Sequence, residues 1–221
     1  MDIVMLAAGS STRMGETNKL LLEYRGLPMV AYSCLEALRF LEHHAGQNDE
    51  NCRLIVVTGY RRQSTEKALG TCRSFLEGTG SRLEMLVVNN PDYRNGQFSS
   101  TKVGVSQVND GPFFISLADM PLVTAAHYET LAPLLAGHDA VRPFSTKDGD
   151  RVPGHPVLHA PRLKEKILKC SDDCSVSKIL RSCDVYEPSF DDDSWSRDID
   201  YAQDYERLSL SQLSVQAQPS L

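Results

Sequence analysis

Three stretches of the sequence combine residue types that could handle a polyphosphate. The first is Leu6-Ala7-Ala8-Gly9-Ser10-Ser11-Thr12-Arg13-Met14-Gly15, followed by Lys19. Small side chains at Ala7, Ala8 and Gly9 let main-chain N–H groups approach an anion, and Arg13 and Lys19 add the positive charge that a triphosphate requires. Gly15 is followed by Glu16 rather than Lys-Ser/Thr, so this is not a Walker loop. Gly9 has no glycine two residues on, so it is not a dinucleotide fingerprint either. The same residues would also make a tight turn with two surface cations.

The second stretch is Leu117-Ala118-Asp119-Met120-Pro121, an acid at the end of an apolar run with a proline stopping the chain. Mg²⁺ takes one or two carboxylates and completes its shell with water and substrate phosphate, and an acid placed this way suits it. Asp119 could equally cap the next helix. The third is Arg197-Asp198-Ile199-Asp200-Tyr201, where both acids share a face if the segment is extended. Asp191, Asp192, Asp193 and Asp204 lie close by, so a solvated charged face is the competing reading. His155, in Gly154-His155-Pro156, is placed to contact a substrate phosphate or to shape a turn.

Apolar runs precede most of these residues. Asp2–Ala7, Leu54–Val57, Leu83–Val88 and Phe113–Leu117 read as strands, with a short one at Ala140–Val141 and a further candidate over His155–His159. Helical spacing fits Met29–Leu41, Arg61–Cys72, Ser99–Val108, Tyr128–Leu135, Arg162–Leu168 and Tyr201–Leu208. Strands that are continuously apolar and alternate with helices mark a parallel sheet covered on both faces. Ligands in such sheets sit beyond the strands' carboxyl ends. That directs attention to Gly9–Lys19, Thr58-Gly59, Asn89-Asn90 and Asp119. Ser145–Gly154 reads as a polar loop. One domain is expected over residues 1–208, with 209–221 a polar tail.

Composition narrows the class of function. The chain has 221 residues, 41% of them hydrophobic, and a net charge of −6. That size supports a packed core without metal or disulfides, and the acidic balance argues against a nucleic-acid partner. No apolar run is long enough to span a membrane, and the start lacks the basic region of a signal peptide. Six cysteines without paired zinc spacing point to reduced thiols in a cytoplasmic protein. Cys170 and Cys174 would face each other on a helix, but no second ligand pair accompanies them.

Read in order, the opening loop with Lys19-Leu20-Leu21 resembles the signature of MobA-like nucleotidyltransferases, and most closely their molybdenum cofactor cytidylyltransferase branch. The likeness continues through Val57-x-Gly59-Tyr60, Asn90-Pro91-Asp92-Tyr93 with Gly96 and Ser99-Ser100, Asp119-Met120-Pro121-Leu122-Val123-Thr124, Gly154-His155-Pro156-Val157-Leu158, and Asp198-Ile199-Asp200 with Asp204-Tyr205. It covers about residues 2–208. Gly15 to Lys19 is one residue longer than the commonest spacing, and Tyr201-Ala202-Gln203 stands where Thr-Pro-Glu is usual.

The resemblance implies a three-layer α/β nucleotidyltransferase fold, Rossmann-like, with a mostly parallel central sheet. It implies that Leu6, Ala7, Ala8, Gly9, Ser10, Ser11, Arg13 and Lys19 hold the triphosphate. Gly59, Asn90, Ser99 and Ser100 would meet the nucleotide, and Asp119 and Asp200 would hold Mg²⁺. The expected reaction moves CMP from CTP to a phosphorylated acceptor, molybdopterin, and releases pyrophosphate, with Arg13, Lys19 and Asp119 as catalytic residues and His155 on the acceptor. The competing functions are transfer to a sugar or polyol phosphate, and nucleotide binding without turnover.

Overall fold

Every residue of the first strand, β1 (Asp2–Ala7), is buried. Ile3 and Met5 join one apolar cluster while Val4 and Leu6 join another, the period-two split of a strand covered on both sides. The structure, a computed structural model, describes residues 1–10, 18–79, 82–146, 149–201 and 203–208. Ser11, Arg13 and the tail from Ser209 lie outside the described residues.

After β1 come the hairpin strands β2 (Glu23–Tyr24) and β3 (Leu27–Pro28), then α1 (Met29–Asn48), β4 (Cys52–Thr58), α2 (Arg62–Ala68) and α3 (Gly70–Glu77). β5 (Leu83–Asn89), α4 (Gln97–Val105), β6 (Phe113–Leu117) and α5 (Ala125–Leu131) follow. The last third holds β7 (Ala140–Val141), β8 (Phe144–Ser145), β9 (Val152–Pro153), β10 (Val157–His159), α6 (Leu163–Lys169) and α7 (Val176–Leu180). It ends with β11 (Val185–Tyr186), β12 (Ser189–Phe190) and a helix over 203–208.

The main sheet has seven strands in the order β11-β7-β10-β6-β1-β4-β5. All its pairings are parallel except those of β10, which runs against both β6 and β7. Residues of α1, α3 and α5, among them Leu38, Cys72 and Tyr128, cover one face. Phe98 of α4, Ile167 of α6 and Leu180 of α7 cover the other. This is the three-layer, mostly parallel α/β architecture expected. α4 lies unusually close to the sheet. A Cβ added at Gly104 would stand 2.3 Å from Val4 Cγ1 and 2.9 Å from Val57 Cγ2.

The structure departs from the pattern-based reading where the elements are short or interrupted. The helix expected over Arg61–Cys72 is two helices, with Leu69 between them. The one expected over Tyr128–Leu135 leaves α geometry at Leu131, because Pro133 has no N–H for an i→i−4 bond, and continues as a 3-10 turn over Ala132–Leu135. The loop expected over Ser145–Gly154 carries β9, which pairs with β8 in a second sheet with β12. Cys170 ends α6 and Cys174 lies beyond it, so the two are not one turn apart on a helix.

His159 on β10 is fully buried and lies flat against Phe113, ring centroids 5.1 Å apart. Neither ring nitrogen has a well-directed hydrogen-bond partner. Burial drives its pKa down to about 4, and the nearby Phe113 and Val157 main chain only partly offsets this. The folded state therefore holds a neutral imidazole where the unfolded chain would bind a proton below its ordinary value of 6.5. Stability from this residue is intact above pH 6.5 and is lost as pH falls toward 4. Urea titrations should show roughly 2–3 kcal/mol of that loss by about pH 4.5. His159→Leu should flatten the slope, and an unchanged slope would assign the acid sensitivity elsewhere.

Candidate active site

The carboxyl ends of β1 and β6 meet at one rim of the sheet. Ala118 N–H donates to Leu6 O at 3.1 Å, carrying the β1–β6 ladder into the turn that presents Asp119. Residues 197–200 pass beside that turn, and Ile199 N–H donates to Asp119 O at 3.0 Å. That bond places Asp200 next to Asp119. Behind it, Asp204 accepts from the Tyr201 amide at 2.8 Å and from the Asp200 amide at 3.2 Å.

Lys19 enters from the 3-10 turn Lys19–Leu21, which Asn18 caps by accepting from Leu20 N–H. Its Nζ lies 2.6 Å from Asp119 Oδ2 and 2.7 Å from Asp200 Oδ1. The two carboxylates thus converge on one positive charge. Burial opposes the charge on Lys19, but the pull of Asp119 and the hydrogen bonds to both acids outweigh it, and its pKa stands above the ordinary 10.5. Burial pushes the Asp198 carboxyl up, and the neighbouring Asp200 and Asp119 charges add to the shift.

These acids line a cleft of about 500 Å³ together with Leu6, Ala8, Gly9 and Ser10. Tyr93, Arg94, Gln97 and Ser100 form part of its other wall. Asp198 and Asp200 both line this cleft. Ala7 is buried in the strand and does not line it. Ser11 and Arg13 lie outside the described residues.

Three of the expected nucleotide contacts sit behind the wall. Asn90 is buried, and its Nδ2 donates to Ser99 Oγ and Ser100 Oγ, both at 2.9 Å, while its Oδ1 accepts from Asp92 N–H. Ser99 is half-buried, and its hydroxyl lies 2.8 Å from Gly96 O and 3.1 Å from Asp92 O. Gly59 serves close packing. A Cβ there would lie 2.7 Å from Tyr93 Cβ and 2.9 Å from Ala8 Cβ. These residues shape the loop that carries Tyr93 and Arg94. Arg94 is the cleft cation that motif reading passed over, and its place in the expected nucleotide-facing segment was the available signal.

A second cavity of about 200 Å³ adjoins the cleft, with Leu6 and Gln97 common to both. Phe98, Ile115, Val157 and Leu180 give it an apolar wall, and Thr101, Arg142, His155, His159 and Ser175 are among its polar residues. Burial lowers the His155 pKa, against the pull of the Ile115 carbonyl and the Asp119 charge, so the imidazole is neutral at pH 7.

Two carboxylates that converge on one cation form a hard-oxygen donor set suited to a divalent ion whose shell water and phosphate complete. Among the described residues no group of three or more His, Cys, Asp or Glu side chains is arranged around a metal. Magnesium needs only one or two carboxylates here, so the residues fit it. None of the described helices is long and apolar enough to cross a membrane.

Comparison with known proteins places this chain among the nucleotidyltransferases. The sequence profile of the MobA-like NTP transferase domain matches residues 3–187, and the chain belongs to that family. It is 25% identical over 205 residues to the molybdenum cofactor cytidylyltransferase of Escherichia coli strain K12, covering 93% of each chain. Among solved structures it resembles a nucleotidyl transferase from Methanothermobacter, with a TM-score of 0.70 and 21% identity over 97% of this chain and 98% of that one. It also resembles the manganese complex of a Mycobacterium tuberculosis protein, with a TM-score of 0.61 and 20% identity over 95% and 98%.

Proposed function

We propose that this protein transfers CMP from CTP to the terminal phosphate of molybdopterin and releases pyrophosphate, using Mg²⁺ held by Asp119 and Asp200. The observation that carries the reading is the convergence of those two acids on a single cation beside the Ala8-Gly9-Ser10 turn. The likeness to a molybdenum cofactor cytidylyltransferase supports the choice of nucleotide and acceptor.

The main-chain amides of Ala8, Gly9 and Ser10 face the phosphates. Arg13 and Lys19 counter the charge gathering on the leaving pyrophosphate. Mg²⁺ in this position supplies neutralisation of the phosphate oxygens. The acceptor brings its own anionic oxygen, which forms a new bond to the α-phosphorus as the bond to the β-phosphate bridging oxygen breaks. No side chain needs to take a proton or form a covalent intermediate, so positioning and charge stabilisation carry the acceleration. The acceptor's ring system lies in the second cavity, where His155 is a neutral hydrogen-bonding partner. A cytoplasmic setting is part of the same proposal and rests on the cysteine pattern.

The deciding assay supplies each of the four NTPs with Mg²⁺ and either molybdopterin or a polyol phosphate, and measures pyrophosphate. CTP with molybdopterin should give the fastest release. Release with the polyol phosphate alone would reassign the acceptor, and nucleotide binding without release would remove the catalytic reading.

A further inference from the structure

The segments that carry Asp119, His155 and Asp200 are tied together outside the cleft by one side chain, His127. It is the third residue of α5, the helix that follows the Asp119 turn. Its Nδ1 accepts from Thr124 N–H at 3.1 Å and completes a capping box with the Thr124 side chain. A ring whose Nδ1 accepts carries its proton on Nε2 when neutral. That Nε2 lies 2.8 Å from Ser194 Oγ. The Ser194 hydroxyl donates its own hydrogen to Asp192 Oδ2 at 2.7 Å, leaving a lone pair to receive the histidine N–H. The imidazole also packs on Trp195, centroids 4.2 Å apart, and Trp195 stacks on Phe190.

Two main-chain bonds lead from this clasp into the site. Trp195 O accepts from His155 N–H at 2.7 Å, and Asp119 O accepts from Ile199 N–H. The approach at Trp195 is tight, since a Cβ added at Gly154 would stand 2.3 Å from the Trp195 carbonyl oxygen. Neutral hydrogen bonds and ring packing therefore join the start of α5 to the run that ends at Asp200.

We propose that His127 is a positioning residue for the divalent-ion site. By fastening Ser194 and Trp195 to the start of α5 it holds residues 197–200 against the Asp119 turn, and so sets the separation of Asp119 and Asp200. The effect on metal binding rests on the reading of those two acids as ligands. The clasp itself stands on the hydrogen bonds.

Three variants separate the clasp from the helix cap. Ser194→Ala cuts the clasp and leaves His127 capping Thr124. His127→Ala loses both contacts. His127→Gln can accept from Thr124 and donate to Ser194. Hydrogen exchange at the Ile199 amide reads the clasp directly, and Mn²⁺ titration with CTP present reads its consequence. Ser194→Ala and His127→Ala should each speed Ile199 exchange about tenfold or more, and weaken Mn²⁺ binding by about 10–100-fold. The double variant should be little worse than His127→Ala, and His127→Gln should stay within about threefold of wild type. Unchanged Ile199 exchange in Ser194→Ala and His127→Ala overturns the clasp. So does unchanged Mn²⁺ affinity in both, measured against a wild type that binds the ion. If the wild type binds no Mn²⁺, or Asp200→Asn binds it equally well, the ligand assignment falls instead, and Ile199 exchange still decides the clasp.

Discussion

Asp119→Asn is expected to lower turnover by about 10³-fold, near 4 kcal/mol of transition-state stabilisation, with little loss of folding stability. The substitution keeps the shape of the side chain and an oxygen that can accept from Lys19, so the turn after β6 retains its geometry. It removes the negative charge that, on the proposed mechanism, holds a divalent ion against the phosphates. Only one carboxylate, Asp200, would then remain of the pair that converges on Lys19 Nζ. Pyrophosphate release at saturating CTP measures the effect, and thermal unfolding checks the fold. The loss should appear mainly in kcat, because the proposal has Asp119 act on the phosphates through the metal and not on the base or ribose. Activity within about tenfold of wild type would take Asp119 out of the chemistry.

Lys19→Met should be damaging in two separable ways. The Lys19 side chain is 10% exposed and bridges acids that are 20% and 26% exposed. Without the ammonium the two carboxylates face each other across a partly dry rim, which should cost about 1–3 kcal/mol of stability at neutral pH. Because the folded pKa of Lys19 is raised, its contribution is complete below 10.5 and disappears as pH climbs through the raised value. The variant's deficit should therefore close in strong alkali, where the wild type loses the same charge. On the proposed mechanism turnover should fall by about 10²-fold or more, since Lys19 is there the cation that counters charge on the departing pyrophosphate. Added Mg²⁺ should raise the melting temperature of the variant more than that of the wild type, because a divalent ion can take the place of the missing charge. Equal shifts would mean that the metal binds elsewhere.

Much of this site is legible in the chain because buried parallel strands announce themselves. DIVMLA and FFISL are unbroken apolar runs, and the residues just after them, Ala8-Gly9-Ser10 and Asp119, line the cleft. The pairing of Lys19 with Asp119 and Asp200 is hidden in the sequence, since it depends on contacts across 100 and 181 positions that no local pattern encodes. Asn90 and Ser99 were legible as a motif, but their direction was not. Hydrogen bonds tie both into the loop that carries Tyr93 and Arg94. Two-residue strands such as β8 and β9 carry too few positions to show a period.

The reversed direction of β10 has a consequence for how this architecture can diversify. β1 and β6 deliver their last residues to the working rim, whereas β10, running against them, arrives there with its beginning at Gly154 and His155. On the proposed function, triphosphate grip and acceptor choice would then be written in stretches of opposite polarity, one departing from its strand and one approaching. Remodelling the approach to β10 would, on that proposal, retune what receives the nucleotidyl group while the grip on its donor stays as it was.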